Sequence, residues 1–347
     1  MRKFGIKYSE LHPEARAVRD AFIRVKNHND WRAVLATWYD STVEWPAPSR
    51  RRGPGDLIAA VGEESTLPIP ARAEVIYLTG MTLSPGFIEG HSHLLLHPYS
   101  ETSWNDQVLK ESRAERVLRA GVAARATLHA GFTTVRDLGS EGAHYADVGI
   151  KTAIRKGVIP GPRMLVAGRA IVATGSYGPK GFHPDFEPPL GAQTAAGVDD
   201  LIRVTREQMG KGADFIKVYA DYRWGPNSEA MPSFSLEELT LMQRTTASTG
   251  RALVAHASTE EGMRRAILAG VETIEHGDGG TREIYRMMAE RGVVWYPTLA
   301  AVEAIQGYSG WRKGIDPEPA RITVKKRVFR MALEEGVLIG MGGDVGV

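Results

Sequence analysis

LAGVETIEHG, residues 268–277, contains a helix end, a glycine and a short β-rich run that finishes on a histidine. The same order recurs in HAGFTTVRDLG, GKGADFIKVYA, STGRALVAHA, ERGVVWYPTL and EEGVLIGMGGD. Glycine is favoured just past a helix end because the backbone there takes a positive φ. Short loops of this kind join helices to buried parallel strands, so the repeat predicts an α/β fold. The six glycines are Gly131, Gly212, Gly250, Gly270, Gly292 and Gly336.

The β-rich runs predict eight strands, and helical patterns separate them. They are FIEGHSH (87–93), TTVRDL (133–138), RMLVAG (163–168), FIKVYA (215–220), ALVAHA (252–257), TIEHG (273–277), VVWYPTL (293–299) and LIGMGGD (338–344). Eight alternating units match a (β/α)8 TIM barrel, which typically needs about 250 residues. A doubly wound open sheet is the competing α/β arrangement. The count of eight and the polar residues at the strand ends favour the barrel.

The chain divides into three predicted regions. Residues 1–53 form an N-terminal helical segment, and residues 54–85 a partial small β structure that includes AEVIYLTGMTLSPG as strands. Residues 86–347 form the barrel, which is expected to lack its last helix because the chain stops three residues after the eighth strand. The N-terminal helices are the alternative cover for the barrel at that position.

Two helix starts have the spacing of a capping box, in which a serine and a glutamate three residues later satisfy each other's backbone N–H groups. Ser235 with Glu238 is one, and Ser258 with Glu261 is the other.

Composition excludes some classes of partner and site. The 43 basic and 41 acidic residues nearly cancel, so nothing favours nucleic-acid binding. The chain has no cysteine, so any metal must be held by histidine, carboxylate or another oxygen or nitrogen ligand. The first thirty residues contain no signal-peptide core, and no run approaches the length of a membrane span. We expect a soluble, cytoplasmic protein with a small-molecule substrate and no membrane partner, and homo-oligomerisation stays open.

Histidines and an aspartate stand at the predicted carboxyl ends of four strands, and a lysine lies within a fifth. His91 and His93 are two apart on a strand, so both side chains point to the same side and can share one ion. Lys217 lies in the apolar strand FIKVY, where a lysine is costly unless it is paired. A buried lysine loses its proton easily, and its neutral amine could react with carbon dioxide to give a carbamate that bridges two cations. The alternative is a side chain that extends out of the barrel mouth or pairs with an acid. His256 and His276 each close a strand, although a single histidine at such a place is more often an ordinary polar group.

Asp344 ends the eighth strand, which neighbours the first strand in a closed barrel. Hydrolysis of an amide at neutral pH needs a hydroxide, a Lewis acid on the carbonyl and a group that carries a proton to the leaving nitrogen. Two divalent cations supply the first two. A carboxylate that contacts the metal and the water supplies the third, and Asp344 is the candidate catalytic residue.

This pattern resembles the binuclear amidohydrolase superfamily. The phrases VRDLG, IPGPRMLVAGRAI, FIKVYA, AHAS and ETIEHGDGG look like its imidazolonepropionase-like branch, which includes Xaa-Pro dipeptidases. The resemblance covers residues 54–347 and implies two metal ions, usually zinc. It implies that His91, His93 and Asp344 bind one ion, that His256 and His276 bind the other, and that N-carboxylated Lys217 bridges them. Residues 1–53 faintly resemble the start of an NTF2-like fold, which needs about twice that length.

The loops over the predicted barrel mouth supply candidate substrate-binding residues. They are Tyr177, His183, Tyr222 and Arg223, and the alternative for each is an ordinary polar loop residue. Tyr177 stands where the dipeptidase branch has the histidine of a TGGH motif, which weakens any transfer of dipeptide specificity.

The sequence therefore predicts a metal-dependent hydrolase of an amide or peptide C–N bond, with a dipeptide or an N-acyl amino acid as substrate. One alternative is a cyclic amide, imidazolone or ester hydrolase on the same site, since substrate choice resides in loops. The other alternative is a truncated metal-binding fragment without turnover.

Overall fold

The computed structural model describes residues 61–62, 69 and 73–346. The chain divides into two compact units between Leu83 and Ser84. The helices predicted before residue 54 lie outside the described residues. Residues 73–86 were expected to form strands, but they run without regular structure apart from a turn at Thr79 and Gly80. Their alternating apolar pattern finds no partner strand among the described residues, so it makes no sheet.

All eight predicted barrel strands are present. They are β1 (Phe87–Ser92), β2 (Phe132–Asp137), β3 (Arg163–Val166), β6 (Ile216–Tyr219), β9 (Leu253–Ala257), β10 (Thr273–His276), β11 (Val294–Tyr296) and β12 (Leu338–Ile339). Four shorter strands lie in the loops: β4 (Ile171–Ala173), β5 (Gln193–Ala195), β7 (Asp221–Arg223) and β8 (Ala230–Pro232). Sequence analysis did not separate these four, because each has only three residues.

Helices alternate with the strands. They are α1 (Trp104–Leu109), α2 (Arg113–His129), α3 (Ala146–Arg155), α4 (Gly197–Gly210), α5 (Leu236–Ala247), α6 (Glu260–Ala269), α7 (Arg282–Arg291), α8 (Leu299–Tyr308) and α9 (Ala320–Glu334). All six glycines of the repeat have a positive φ, between 69° and 107°. None of the helices in the described part of the chain is long and apolar enough to cross a lipid bilayer.

Ten of the twelve strands named above form two parallel sheets that hydrogen bonds join at two places, and β7 and β8 form an antiparallel pair. One has the order β1-β2-β3 and the other β12-β11-β10-β9-β6-β4-β5. At one junction the amide of Asp344 donates to the carbonyl of His91 over 2.8 Å, and at the other Asp214 donates to Val166 over 2.8 Å. These bonds close the eight strands into a barrel, as predicted.

The two predicted capping boxes had different outcomes. Ser235 caps α5, and both bonds of the box with Glu238 are formed. The box between Ser258 and Glu261 is wrong, because Thr259 caps α6 and accepts from the amide of Gly262. The amide of Ser258 instead donates to the carboxylate of Asp221. Because Asp221 accepts from the amide of Ser258, the helix begins one residue later than predicted.

The main core lies between the strands and the helices. Ile216, Val218 and Ile274 are buried there against apolar side chains of α5 to α7. Because strand side chains alternate, Lys217 and Glu275 point the other way, into the barrel. Both are at most 1% exposed, so the barrel interior holds buried charges at the level where the site forms.

Candidate metal centre

The structure brings the predicted ligands together at the carboxyl ends of the strands. One ligand atom each from His91, His276 and Asp344 lies within 4.8 Å of the others. His93 joins them, since its Nε2 is 3.4 Å from Asp344 Oδ1. The ring centroid of His256 is 4.5 Å from that of His276. Five residues from four strand ends therefore face one space.

The donor atoms of this group suit a cation. His93 Nδ1 lies 2.8 Å from the carbonyl of Gly139, which can only accept, so this nitrogen carries the proton and Nε2 presents a lone pair. His91 Nε2 and His93 Nε2 lie 3.2 Å and 3.4 Å from Asp344 Oδ1. That oxygen is buried and has no hydrogen-bond partner among the described residues. Lone pairs that face a buried carboxylate oxygen repel it unless a positive charge lies between them, so the residues fit a metal ion.

The pKa shifts of these side chains also favour positive charge between them. Burial opposes protonation of His91, but Asp344 and Glu275 together outweigh it and raise the pKa of the imidazole. Burial also opposes ionisation of Asp344, but His91 and His93 outweigh it and lower the pKa of the carboxyl. Both shifts favour positive charge at the point where His91 and Asp344 meet.

Lys217 and His256 lie on the other side of this space. Lys217 is 1% exposed, so it does not extend out of the barrel mouth. Its Nζ lies 5.5 Å from the ring centroid of Tyr219. Burial lowers the pKa of Lys217 to about 8, against the opposing pull of Glu275 and Asp344. A larger fraction of the amine is thus neutral near pH 7 than for an ordinary lysine.

His256 and His276 are neutral ligand candidates. Burial lowers the pKa of both imidazoles well below its ordinary value, and Lys217 adds to the effect. His256 stacks on Tyr219 with ring centroids 4.6 Å apart. Its Nε2 is 3.7 Å from Asp221 Oδ1.

Sequence analysis missed a buried series of an ion pair and a hydrogen bond that ends at His91. Arg136 donates to Glu275 Oε1 over 2.6 Å, and Glu275 Oε2 lies 2.7 Å from His91 Nδ1. Burial alone would raise the pKa of Glu275, but Arg136 and His91 outweigh it and lower the pKa to about 2. The signal was an acid next to a histidine in an otherwise apolar strand, because such an acid needs a buried partner.

Two further acids that were missed hold the loops that carry ligands. Glu89 Oε1 accepts from the amide of His91 over 2.9 Å and from the amide of Gly343 over 2.7 Å, which ties β1 to the segment before Asp344. Asp221 Oδ2 accepts from the amide and the hydroxyl of Thr259 over 2.7 and 2.8 Å. Both acids orient backbone next to predicted ligands.

A cleft of about 510 Å³ opens beside the centre, and it contains three of the four predicted substrate-binding residues. Tyr177, Tyr222 and Arg223 line it together with Tyr99, Trp104 and Lys180. His183 does not line it; the ring of this exposed residue packs toward Phe186 at 6.2 Å. A second cavity of about 450 Å³, between Leu299 and Lys313, is lined mostly by apolar side chains and by none of the predicted residues.

Glu141, also missed from sequence, organises the aromatic wall between the cleft and the centre. Its buried carboxylate accepts from Tyr177 over 2.6 Å, from Trp104 over 3.0 Å and from Tyr219 over 3.4 Å. The Tyr177 ring lies 4.8 Å from Tyr219 and 4.7 Å from Tyr222. Since Tyr219 stacks on His256, this wall connects the cleft to the predicted ligands.

Comparison with known proteins identifies the family to which this barrel and its site are similar. Residues 82–347 match the model of the amidohydrolase family. Ochratoxinase of Aspergillus niger is 26% identical over 317 residues, which cover 83% of this chain and 63% of that protein. The chain thus matches less than two thirds of the length of this relative.

Solved structures of amidohydrolases and dipeptidases are also similar to this chain. An amidohydrolase is 30% identical with a TM-score of 0.69, and the match covers 81% of this chain and 70% of that one. A Xaa-Pro dipeptidase with methionine bound in its active site is 29% identical with a TM-score of 0.65, over 76% of this chain and 66% of that one. Family model, barrel and relatives agree, and the chain belongs to the amidohydrolase family.

Proposed function

We propose that this chain is a metal-dependent hydrolase that cleaves the amide C–N bond of a small substrate with a free carboxylate, such as an N-acyl amino acid or a dipeptide. The observation that carries the proposal is the meeting of His91, His276 and Asp344 donor atoms within 4.8 Å, beside a buried lysine. The related ochratoxinase and Xaa-Pro dipeptidase support an amide bond as the target.

The predicted ligands divide between two ions. His91, His93 and Asp344 would hold one, His256 and His276 the other, and N-carboxylated Lys217 would lie between them. When bound, divalent ions of the zinc type polarise a carbonyl group and lower the pKa of water.

The protein residues contribute proton transfer and orientation. Asp344 accepts a proton from the attacking water and returns it to the leaving nitrogen, because its carboxylate oxygen is the one that faces the Nε2 atoms of His91 and His93. Glu275 and Gly139 hold protons on the Nδ1 atoms of His91 and His93, so the Nε2 atoms stay free to bind. In forming the carbamate, the neutral Lys217 amine adds to carbon dioxide and releases one proton.

The cleft supports the choice of substrate. Its volume of about 510 Å³ is within the range of small-molecule sites. Tyr99, Trp104 and Tyr222 give it aromatic walls, and among the described residues that line it the charged ones are Lys180 and Arg223. An apolar acyl group and a carboxylate complement such a surface.

Hydrolysis of a matched panel tests the proposal. The chain is loaded with zinc in bicarbonate buffer and given N-benzoyl-phenylalanine, alanyl-proline and the ester analogue of the first. Released amino acid is measured by mass spectrometry. We expect zinc-dependent release from at least one amide, loss of release in His93→Asn, and unchanged release in His129→Asn, since His129 is an exposed residue at the end of α2. Protein that carries two zinc ions per chain and cleaves no amide would refute the proposal.

A further inference from the structure

A second lysine is buried close to the centre, and no role in the site has been given to it so far. Lys325 lies on α9 and is 3% exposed. Its Nζ donates to the carbonyl of His276 over 2.9 Å and to the carbonyl of Pro297 over 2.7 Å. It also contacts the carboxylate of Asp278. One ammonium group therefore joins the segments that follow β10 and β11.

The backbone that Lys325 holds is strained. His276 has a φ of 70° and Thr298 a φ of 48°, values that side chains other than glycine rarely adopt. Such residues persist only where the surrounding structure fixes them by several contacts. Trp295 adds one, because its Nε1 donates to the His276 carbonyl over 2.9 Å.

The strained conformation has a direct effect on the predicted ligand. With a positive φ, His276 leaves the alternation of β10, so its ring faces the centre at which the preceding Glu275 also points. Thr298 then fixes the ring, since its Oγ1 lies 2.9 Å from His276 Nδ1 and leaves Nε2 to the metal. The Thr298 hydroxyl thus contacts the ring of His276, and the Lys325 ammonium contacts its backbone carbonyl.

We propose that Lys325 is a positioning residue for one half of the metal centre: it holds His276, through the carbonyls of His276 and Pro297, in the conformation that binds the second ion. The inference rests on the proposed metal centre. It predicts a selective effect, because Lys325 makes no contact with His91 or His93, whose orientation depends on Glu275 and Gly139.

Zinc titration of the full chain tests this selectivity. Zinc per chain is measured by mass spectrometry, and the two dissociation constants by competition with a chelator. For Lys325→Met we expect the dissociation constant that His276→Asn raises to rise at least tenfold, and the other one to change less than twofold. The matched control is Lys326→Met, which removes an exposed lysine from the next position of α9 and should change neither constant. His276→Asn should reproduce the selective loss.

A second pair of variants keeps the test decisive if Lys325→Met does not fold. Thr298→Val removes the hydroxyl at His276 Nδ1, and Thr298→Ser keeps it. We expect Thr298→Val to lose the ion that His276→Asn loses, and Thr298→Ser to retain it. Two ions with unchanged constants in folded Lys325→Met, or equal weakening of both, would overturn the inference, as would unchanged constants in Thr298→Val. No zinc on the unmodified chain would instead refute the metal centre itself.

Discussion

Replacement of Glu275 by glutamine tests whether Glu275 orients His91 for metal binding, because it changes the partner of His91 and leaves His91 itself in place. The Glu275 carboxylate is fully buried and uses both oxygens. Oε1 accepts from Arg136 over 2.6 Å and from Thr273 over 2.5 Å, and Oε2 faces His91 Nδ1 at 2.7 Å. Arg136 and Thr273 donate at Oε1, so the glutamine must keep its carbonyl oxygen there. Its NH2 group then faces His91 Nδ1.

That amide orientation reverses the proton on His91. An NH2 group only donates, so Nδ1 becomes an acceptor and the single proton of the neutral ring moves to Nε2. Nε2 lies 3.2 Å from Asp344 Oδ1 and would donate to it. The lone pair that a metal needs is then gone. We expect zinc affinity to fall by about 10- to 100-fold, the usual effect of losing a partner that orients a metal-binding histidine.

The pKa of Glu275 gives the magnitude of its contribution to the free energy of unfolding in the absence of metal. The pKa of Glu275 is lowered from 4.5 to about 2, and a pKa unit corresponds to about 1.4 kcal/mol. The ionised carboxylate therefore stabilises the fold by about 3 kcal/mol above its unfolded pKa, and this contribution is lost as the pH falls from about 4.5 toward 2. Since glutamine keeps the bond from Arg136, we expect Glu275→Gln to lose about 1–3 kcal/mol near pH 7 and less than 1 kcal/mol near pH 3.

Urea unfolding of chelator-treated protein at several pH values measures this loss, and 15N NMR of the histidine rings reports which nitrogen carries the proton. The control is Glu272→Gln, which alters an exposed acid three residues earlier and should change neither quantity. A stable Glu275→Gln protein with the proton still on His91 Nδ1 and unchanged zinc affinity would refute the reasoning.

Three further changes test other parts of the site. Lys217→Ala should lose most of both ions, and full zinc content by elemental analysis would exclude a carbamate bridge. Asp344→Asn that retains two ions should lower kcat by about 10²–10⁴-fold with little change in KM, and comparable turnover would exclude the carboxylate as the proton carrier. Arg223→Ala should raise KM about tenfold for a carboxylate-bearing substrate and leave KM for its C-terminal amide unchanged; equal effects on both would place the carboxylate elsewhere.

The repeat of helix, glycine and strand was sufficient to predict the barrel. Each glycine marks a helix end where the backbone needs a positive φ, and that requirement is local to the sequence. The ligands were predictable for a related reason. A strand end at the top of a barrel is a fixed place in space, so His256 and His276 could be placed side by side without knowledge of their contacts.

The residues that orient these ligands could not be found in this way. Glu275 meets His91 across 184 positions of sequence, and Lys325 reaches His276 across 49. Nothing local distinguishes Lys325 from Lys326, yet one is 3% exposed and the other lies on the surface. Their difference depends on which face of α9 meets the ends of β10 and β11, and that is a property of the closed barrel.

The buried charges of the barrel form a connected series from its interior to its mouth. Arg136 pairs with Glu275, Glu275 orients His91, and His91 faces Asp344, whose Oδ1 has no hydrogen-bond donor in the described part of the chain. A well-packed apolar interior would be at least as stable as such a series, because each buried ion loses its hydration. Metal binding at Asp344 explains the series better than stability does. Every partner before Asp344 is satisfied, and the carboxylate oxygen without a donor lies where His91 and His93 converge. A cation at that point would give Asp344 Oδ1 the partner that the described side chains do not supply.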